Sequence, residues 1–132
     1  MIVVDTSALI AVAKREADWL DHLAALNAAD AAAISPINYV EVGILLRRDD
    51  FVDDQASLDD WLRFLKVTVC QDVELAGPAM AAYLAYGKGF HPARLNLADV
   101  FAYALAKKLD LPLLYKGDDF ARTDIRSALQ PT

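Results

Sequence analysis

The sequence predicts an α/β protein, a three-layer α/β/α sandwich built on a central parallel sheet of four to five strands. Three observations predict it. The chain opens on Ile2-Val3-Val4, a continuous apolar run of the kind seen in strands buried on both faces. Helical periodicity follows at once, and strand-like runs then alternate with helix-like ones along the chain. Strands separated by helices imply right-handed crossovers and hence a parallel sheet.

Taken in order, the first strand ends at Asp5, and Leu9, Ile10, Ala13 and Leu20 fit a helix better than a strand. A helical stretch is expected from about Ser7 to Asn27, broken near Glu16-Ala17-Asp18. Ala31 to Ile34 is a weak strand candidate. Ser35-Pro36 marks a strong helix start, with Ser as N-cap and Pro at the first helical position. That helix is expected to run to about Arg48, with Ile37, Val40, Ile44 and Leu45 as its apolar stripe. Gln55 to Leu65 is helical, with Leu58, Trp61, Leu62 and Leu65 on one side. Lys66 to Gln71 is the next strand, and Asp72 is expected to cap a helix reaching Tyr86. The loop Gly87-Lys88-Gly89-Phe90-His91-Pro92-Ala93-Arg94 lacks the phosphate-loop pattern. His91 has no close Cys or second His, so zinc is not expected there. Asn96 starts a helix to Leu109 that is apolar nearly all round, and Leu113-Leu114-Tyr115 forms the last strand.

The composition bounds the function. The 132 residues make one domain, 1–132, of which 56% are hydrophobic, enough for a single core. No run of about 18 apolar residues is present, so no membrane span is expected. The first residues lack a basic region and a cleavage-type site, so no signal peptide is expected. The one cysteine, Cys70, has no internal disulfide partner and reads as a core thiol in a reducing cytoplasm. The formal charge of −6 argues against a broad basic surface that coats nucleic acid. An enzyme that grips a few phosphates through a metal remains compatible with it.

Four acids stand out. Asp5 follows strand one, at the strand end where open α/β sheets bind ligands. Glu41 interrupts an apolar stripe. Asp99 lies in the first turn of a buried helix, three residues after Asn96. Asp119, with Asp118 as the alternative, follows the last strand. Each has a plain structural explanation: an N-cap, a paired buried Glu, a capping-box partner, an Asp-rich turn. Together they point elsewhere. Two carboxylates ~4 Å apart repel by about 4 kcal/mol at an effective dielectric near 20, so a cluster needs protons or a cation. Oxygen ligands without Cys or His select Mg2+ or Mn2+. The expected chemistry is metal-assisted hydrolysis of a phosphate ester.

These residues carry a resemblance. Ile2-Val3-Val4-Asp5-Thr6-Ser7-Ala8-Leu9, Tyr39-Val40-Glu41-Val42-Gly43, Leu95-Asn96-Leu97-Ala98-Asp99-Val100 and Leu113-Leu114-Tyr115-Lys116-Gly117-Asp118-Asp119-Phe120 resemble the four acidic motifs of PIN-domain proteins. Within that group the chain resembles the VapC-type ribonuclease toxins of toxin–antitoxin pairs. Many PIN domains carry an acid where this chain has Gly117, so the fourth acid falls to Asp119. The resemblance implies an endoribonuclease acting on tRNA or rRNA, working as a homodimer and held by a VapB-like antitoxin. It implies that Asp5 and Asp99 bind Mg2+ most directly, with Glu41 and Asp119 completing the pocket. Thr6 or Ser7 would orient Asp5 or the substrate phosphate, and Arg47, Lys88, Arg94 and Lys116 are candidates for backbone contacts. One rival is a phosphatase of the haloacid-dehalogenase type, which wants a second Asp two residues after the first, where this chain has Ser7. The other is a non-catalytic module that binds RNA or a protein, against which the four retained acids speak.

Overall fold

The computed structural model describes residues 1–129. The chain forms β1 (Ile2–Val4), α1 (Thr6–Ala13), α2 (Trp19–Ala28), β2 (Ala32–Ile34), α3 (Pro36–Arg48), α4 (Gln55–Phe64), β3 (Val67–Val69), α5 (Ala76–Tyr86), α6 (Leu97–Leu109) and β4 (Leu113–Leu114). A short 3-10 turn, Phe120–Arg122, follows β4. The four strands lie in the order β3-β2-β1-β4, every neighbouring pair parallel. Two isolated parallel bridges, Gly87 to Leu95 and Leu113 to Ser127, add to the named strand pairs. No helix among the described residues is long and apolar enough to cross a membrane.

The pleat divides the core. Ile2, Val4, Ala32, Ile34, Val67 and Leu114 pack on one face with Leu9 of α1, Leu26 of α2, Val42 and Leu46 of α3 and Leu58 and Leu62 of α4. Val3, Ala33 and Leu113 face the other way, onto Ala79 and Ala82 of α5, Val100 and Ala102 to Ala106 of α6, and Phe120. Alternate residues of one strand thus feed two separate clusters, which is why the strands read as unbroken apolar runs. The expected three-layer parallel α/β sandwich is the observed architecture.

The first helical stretch is interrupted over residues 14–18, near Glu16-Ala17-Asp18 as expected, with Arg15 at φ 51°. Three local expectations are corrected. Asp72 caps nothing. Val73 and Leu75 turn toward the second cluster, and the helix starts at Ala76, whose N–H donates to the Glu74 carboxylate at 2.9 Å. Cys70 is half-buried at the edge of that cluster rather than in its centre, and burial together with the Asp72 charge raises its thiol pKa.

The largest correction concerns α3. Its buried residues are Asn38, Val42 and Leu46. Ile37, Val40 and Ile44, expected to face the core, are 36%, 53% and 49% exposed. The helix has an apolar residue on nearly every side, so periodicity could not choose between faces; the sheet's shape did. Consequently Glu41 does not interrupt a core stripe. It sits half-buried at the border between the inner and outer faces.

Candidate active site

Because the strands are parallel, their carboxyl ends share one edge of the sheet. Asp5 follows β1, Ser35 follows β2, and Tyr115 and Lys116 follow β4. A cleft of about 380 Å3 opens at this edge, lined by Asp5, Thr6, Ser7, Glu41, Asp99 and Lys116, with Ile10, Glu16 and Leu45. Three of the four predicted acids therefore meet in one place.

Asp5 serves two ends at once. It is the N-cap of α1, and it is 3% exposed. Its Oδ2 accepts the Ser7 backbone N–H at 3.1 Å and the Ser7 hydroxyl at 2.6 Å. The Ser7 hydroxyl oxygen in turn accepts the Lys116 backbone N–H at 2.9 Å, which ties the end of β4 to the cap. Burial pushes the Asp5 carboxyl up to about 7; the Ser7 hydroxyl opposes this, and the charges of Asp99 and Glu41 add to it. Asp99 closes a capping box on α6. Its carboxylate accepts the Asn96 N–H and its own N–H donates to the Asn96 side chain, both at 3.0 Å. Burial raises its pKa to about 6, opposed by the Asn96 N–H and reinforced by Glu41 and Asp119. Asp5 and Asp99 each cap a helix and each also line the cleft.

Asp119 is exposed at the start of the 3-10 turn and outside the cleft wall, although its charge reaches Asp99. Asp118 is exposed beside it. Gly117 holds φ +97°, a backbone conformation that strains a side-chain-bearing residue, so the turn itself favours glycine where many PIN domains have an acid.

The cations divide. Lys116 lines the cleft, but its ammonium pairs with Glu16 at 2.9 Å and Asp18 at 3.1 Å. Asp18 also meets the buried ring of His22 at 3.0 Å. Among the described residues no ion pair engages Asp5, Glu41 or Asp99. Arg47 lies along the groove between α3 and α4 and reaches Asp50 at 3.4 Å. Lys88 and Arg94 are exposed on the loop before α6 and do not line the cleft. Thr6 and Ser7 do line it, with Thr6 Oγ1 accepting from the Asn38 amide at 3.1 Å.

Two residues of the site escaped sequence reasoning. Glu16 reads as a helix-breaking loop acid, and nothing local connects it to Lys116. Asn38 is fully buried, and its amide also donates to the Ala98 carbonyl at 3.2 Å. The available signal was an amide one helical turn before Glu41 in an otherwise apolar stretch.

Donor chemistry here suits a hard divalent cation: carboxylate oxygens, no sulfur or imidazole, and negative charge left without a partner. Among the described residues no three His, Cys, Asp or Glu side chains stand close enough to hold a metal ion between them.

Comparison with known proteins identifies the family. The PIN domain family model matches residues 2–126. The chain therefore belongs to the PIN-domain family. Its relatives include a protein named VapC ribonuclease Mb2780c from Mycobacterium bovis, 40% identical over 129 residues covering 96% of this chain and 98% of the relative. Ribonuclease VapC30 from Mycobacterium tuberculosis is 39% identical over 131 residues, 98% of this chain and 100% of its own. Among solved structures, Mycobacterium tuberculosis VapC20, described as a sarcin-ricin loop cleaving toxin, superposes with a TM-score of 0.72 at 19% identity over 99% of this chain and 100% of that one. A toxin–antitoxin complex from Klebsiella pneumoniae gives 0.69 at 20% identity, over 94% and 93%. These two show a shared fold.

Proposed function

We propose that the protein is a Mg2+-dependent endoribonuclease toxin, with Mn2+ able to substitute, inhibited by a cognate VapB-like antitoxin. The observation that carries the reading is Asp5, a buried carboxyl crowded by Asp99 and Glu41 and left without a cation while Lys116 is held by Glu16 and Asp18. Such a site gains stability only from a proton or an external positive ion. The VapC ribonuclease relatives, aligned over nearly the whole chain, support RNA as the substrate.

In this reading Asp5 and Asp99 hold the ion, and Glu41 and Asp119 complete the acidic surface around it. A bound divalent cation offsets the charge of the phosphodiester and makes water a stronger nucleophile at neutral pH. Ser7 gives Asp5 Oδ2 two donors, whereas Oδ1 has only a 3.4 Å contact with the Asn38 amide. Thr6 and Ser7 line the cleft beside Asp5, Lys116 would meet the RNA backbone only by leaving Glu16 and Asp18, and Arg47, Lys88 and Arg94 would meet it outside the cleft. The same acidity suits a basic side chain of an antitoxin inserted into the cleft. The exposed strip of Ile37, Val40 and Ile44 on α3 and Leu97 on α6 supports a homodimer, since contiguous apolar surface of this kind marks protein interfaces. A tRNA or rRNA target places the enzyme's work in the cytoplasm.

The test is cleavage of tRNA and rRNA with Mg2+, with EDTA, and in Asp5→Asn and Asp99→Asn variants. Both variants should lose more than about 100-fold, exceeding what loss of an outer partner of a metal ligand costs. Cleavage that survives EDTA, or either variant at full rate, defeats the mechanism.

A further inference from the structure

Asn38 is fully buried, and its polar side chain is fully engaged. Its amide oxygen accepts the Ser35 hydroxyl. Its amide nitrogen donates to Thr6 Oγ1 at 3.1 Å and the Ala98 carbonyl at 3.2 Å, and stands 3.4 Å from Asp5 Oδ1. Thr6 and Asp5 belong to the β1–α1 junction, and Ala98 precedes Asp99 in the first turn of α6. Asn38 itself lies one turn before Glu41. One amide therefore links the three segments that carry the acids of the cleft.

Its orientation is forced. Ser35 Oγ already accepts the Asn38 backbone N–H at 3.0 Å as the cap of α3, so its own proton goes to the amide oxygen. The NH2 group must then face Thr6, Ala98 and Asp5. A main-chain carbonyl and an ionised carboxylate can only accept, so a donor is required at this spot. Aspartate would set oxygen against oxygen, and leucine would remove the donor shared by Thr6, Ala98 and Asp5.

Asp5 gains an asymmetry from this. Its Oδ2 takes both Ser7 donors, whereas Oδ1 has only the long contact to Asn38. Carboxylates that repel move apart unless their backbones are tied, and Asn38 ties the two backbones on which Asp5 and Asp99 stand.

Resting on the cation-dependent reading above, we propose that Asn38 is a positioning residue whose amide fixes the β1–α1 junction against the first turn of α6, so that Asp5 Oδ1 and the Asp99 carboxylate accept one divalent cation. It touches no reacting atom.

Mn2+ titration followed by electron paramagnetic resonance, on wild type and Asn38→Leu, tests this with thermal melting recorded alongside. Folded Asn38→Leu should bind Mn2+ about 10–100-fold more weakly, the range found when outer partners of metal ligands are lost. A purely structural role lowers the melting temperature and leaves the affinity of the folded protein alone; that result overturns the proposal while the metal reading stands. A wild type that binds no Mn2+ overturns both. If Asn38→Leu does not fold, the wild type decides: the Asn38 side-chain NH2 cross-peak should move with added Mg2+ at the midpoint measured by calorimetry, and an unmoved cross-peak overturns the positioning role.

Discussion

Helices α3 and α6 each deliver one acid to the same cleft, yet they are built in opposite ways. Helix α6 is wrapped in core: Ala98, Val100 and Ala102 to Ala106 are all buried, and its acid sits in a capping box at the end. Helix α3 turns an amide, Asn38, inward with Val42 and Leu46, and leaves Ile37, Val40 and Ile44 at the surface. The lesson is that apolar residues on a helix do not name the core. Apart from Leu97, those of α6 belong to the core, whereas Ile37, Val40 and Ile44 of α3 form an exposed outer face and its inner face carries the buried amide of Asn38.

The contrast is broken most easily by cutting into each helix. Leu105 of α6 is fully buried, so Leu105→Ala should cost about 2–5 kcal/mol in urea unfolding. A loss under about 0.5 kcal/mol would place α6 at the surface and undo the comparison.

A smaller effect concerns the end of α6 and the cap of α1. In metal-free protein Asp5 and Asp99 titrate near 7 and 6 instead of 3.8, so the folded state keeps protons that the unfolded chain releases. Stability from these groups is therefore full below about pH 4 and drains away as the pH rises through 6 and 7. Unfolding midpoints measured in EDTA should fall across that window, and Asp5→Asn should flatten the fall. A wild-type midpoint that climbs from about pH 5 to pH 8 would contradict the crowding of charge described here. Added Mg2+ should restore wild type at the upper end and help Asp5→Asn little.

The least effect on the fold is expected at the outer face of α3. The double variant Val40→Asp, Ile44→Asp should sediment as a monomer with its helical circular dichroism intact, because neither residue belongs to a core cluster. Loss of helix instead of dissociation would mean that this face is packed after all, and the distinction between the two helices would disappear.

Much of the fold was readable before any coordinates. The Ile2-Val3-Val4 run, the Ser35-Pro36 start and the Asn96 start each appear where expected, because caps and strand runs are local signals written in adjacent residues. Asp72 misled for the same reason: it is a good cap by type, but Glu74 reached the first free N–H and two apolar neighbours were drawn to the core. The acids were legible because carboxylates at strand ends and helix starts are conspicuous against a 56% hydrophobic background.

The sequence by itself determined the alternation of strands and helices, the parallel sheet, and that Asp5, Glu41 and Asp99 come to its carboxyl edge. Only the tertiary structure decided which face of α3 is inside, that Lys116 is spent on Glu16 and Asp18, and that Asn38 spans three segments. The reason is range. Caps and periodicity act over one turn of chain, whereas Asn38 and Ala98 lie 60 residues apart and meet only because the sheet brings α3 and α6 together.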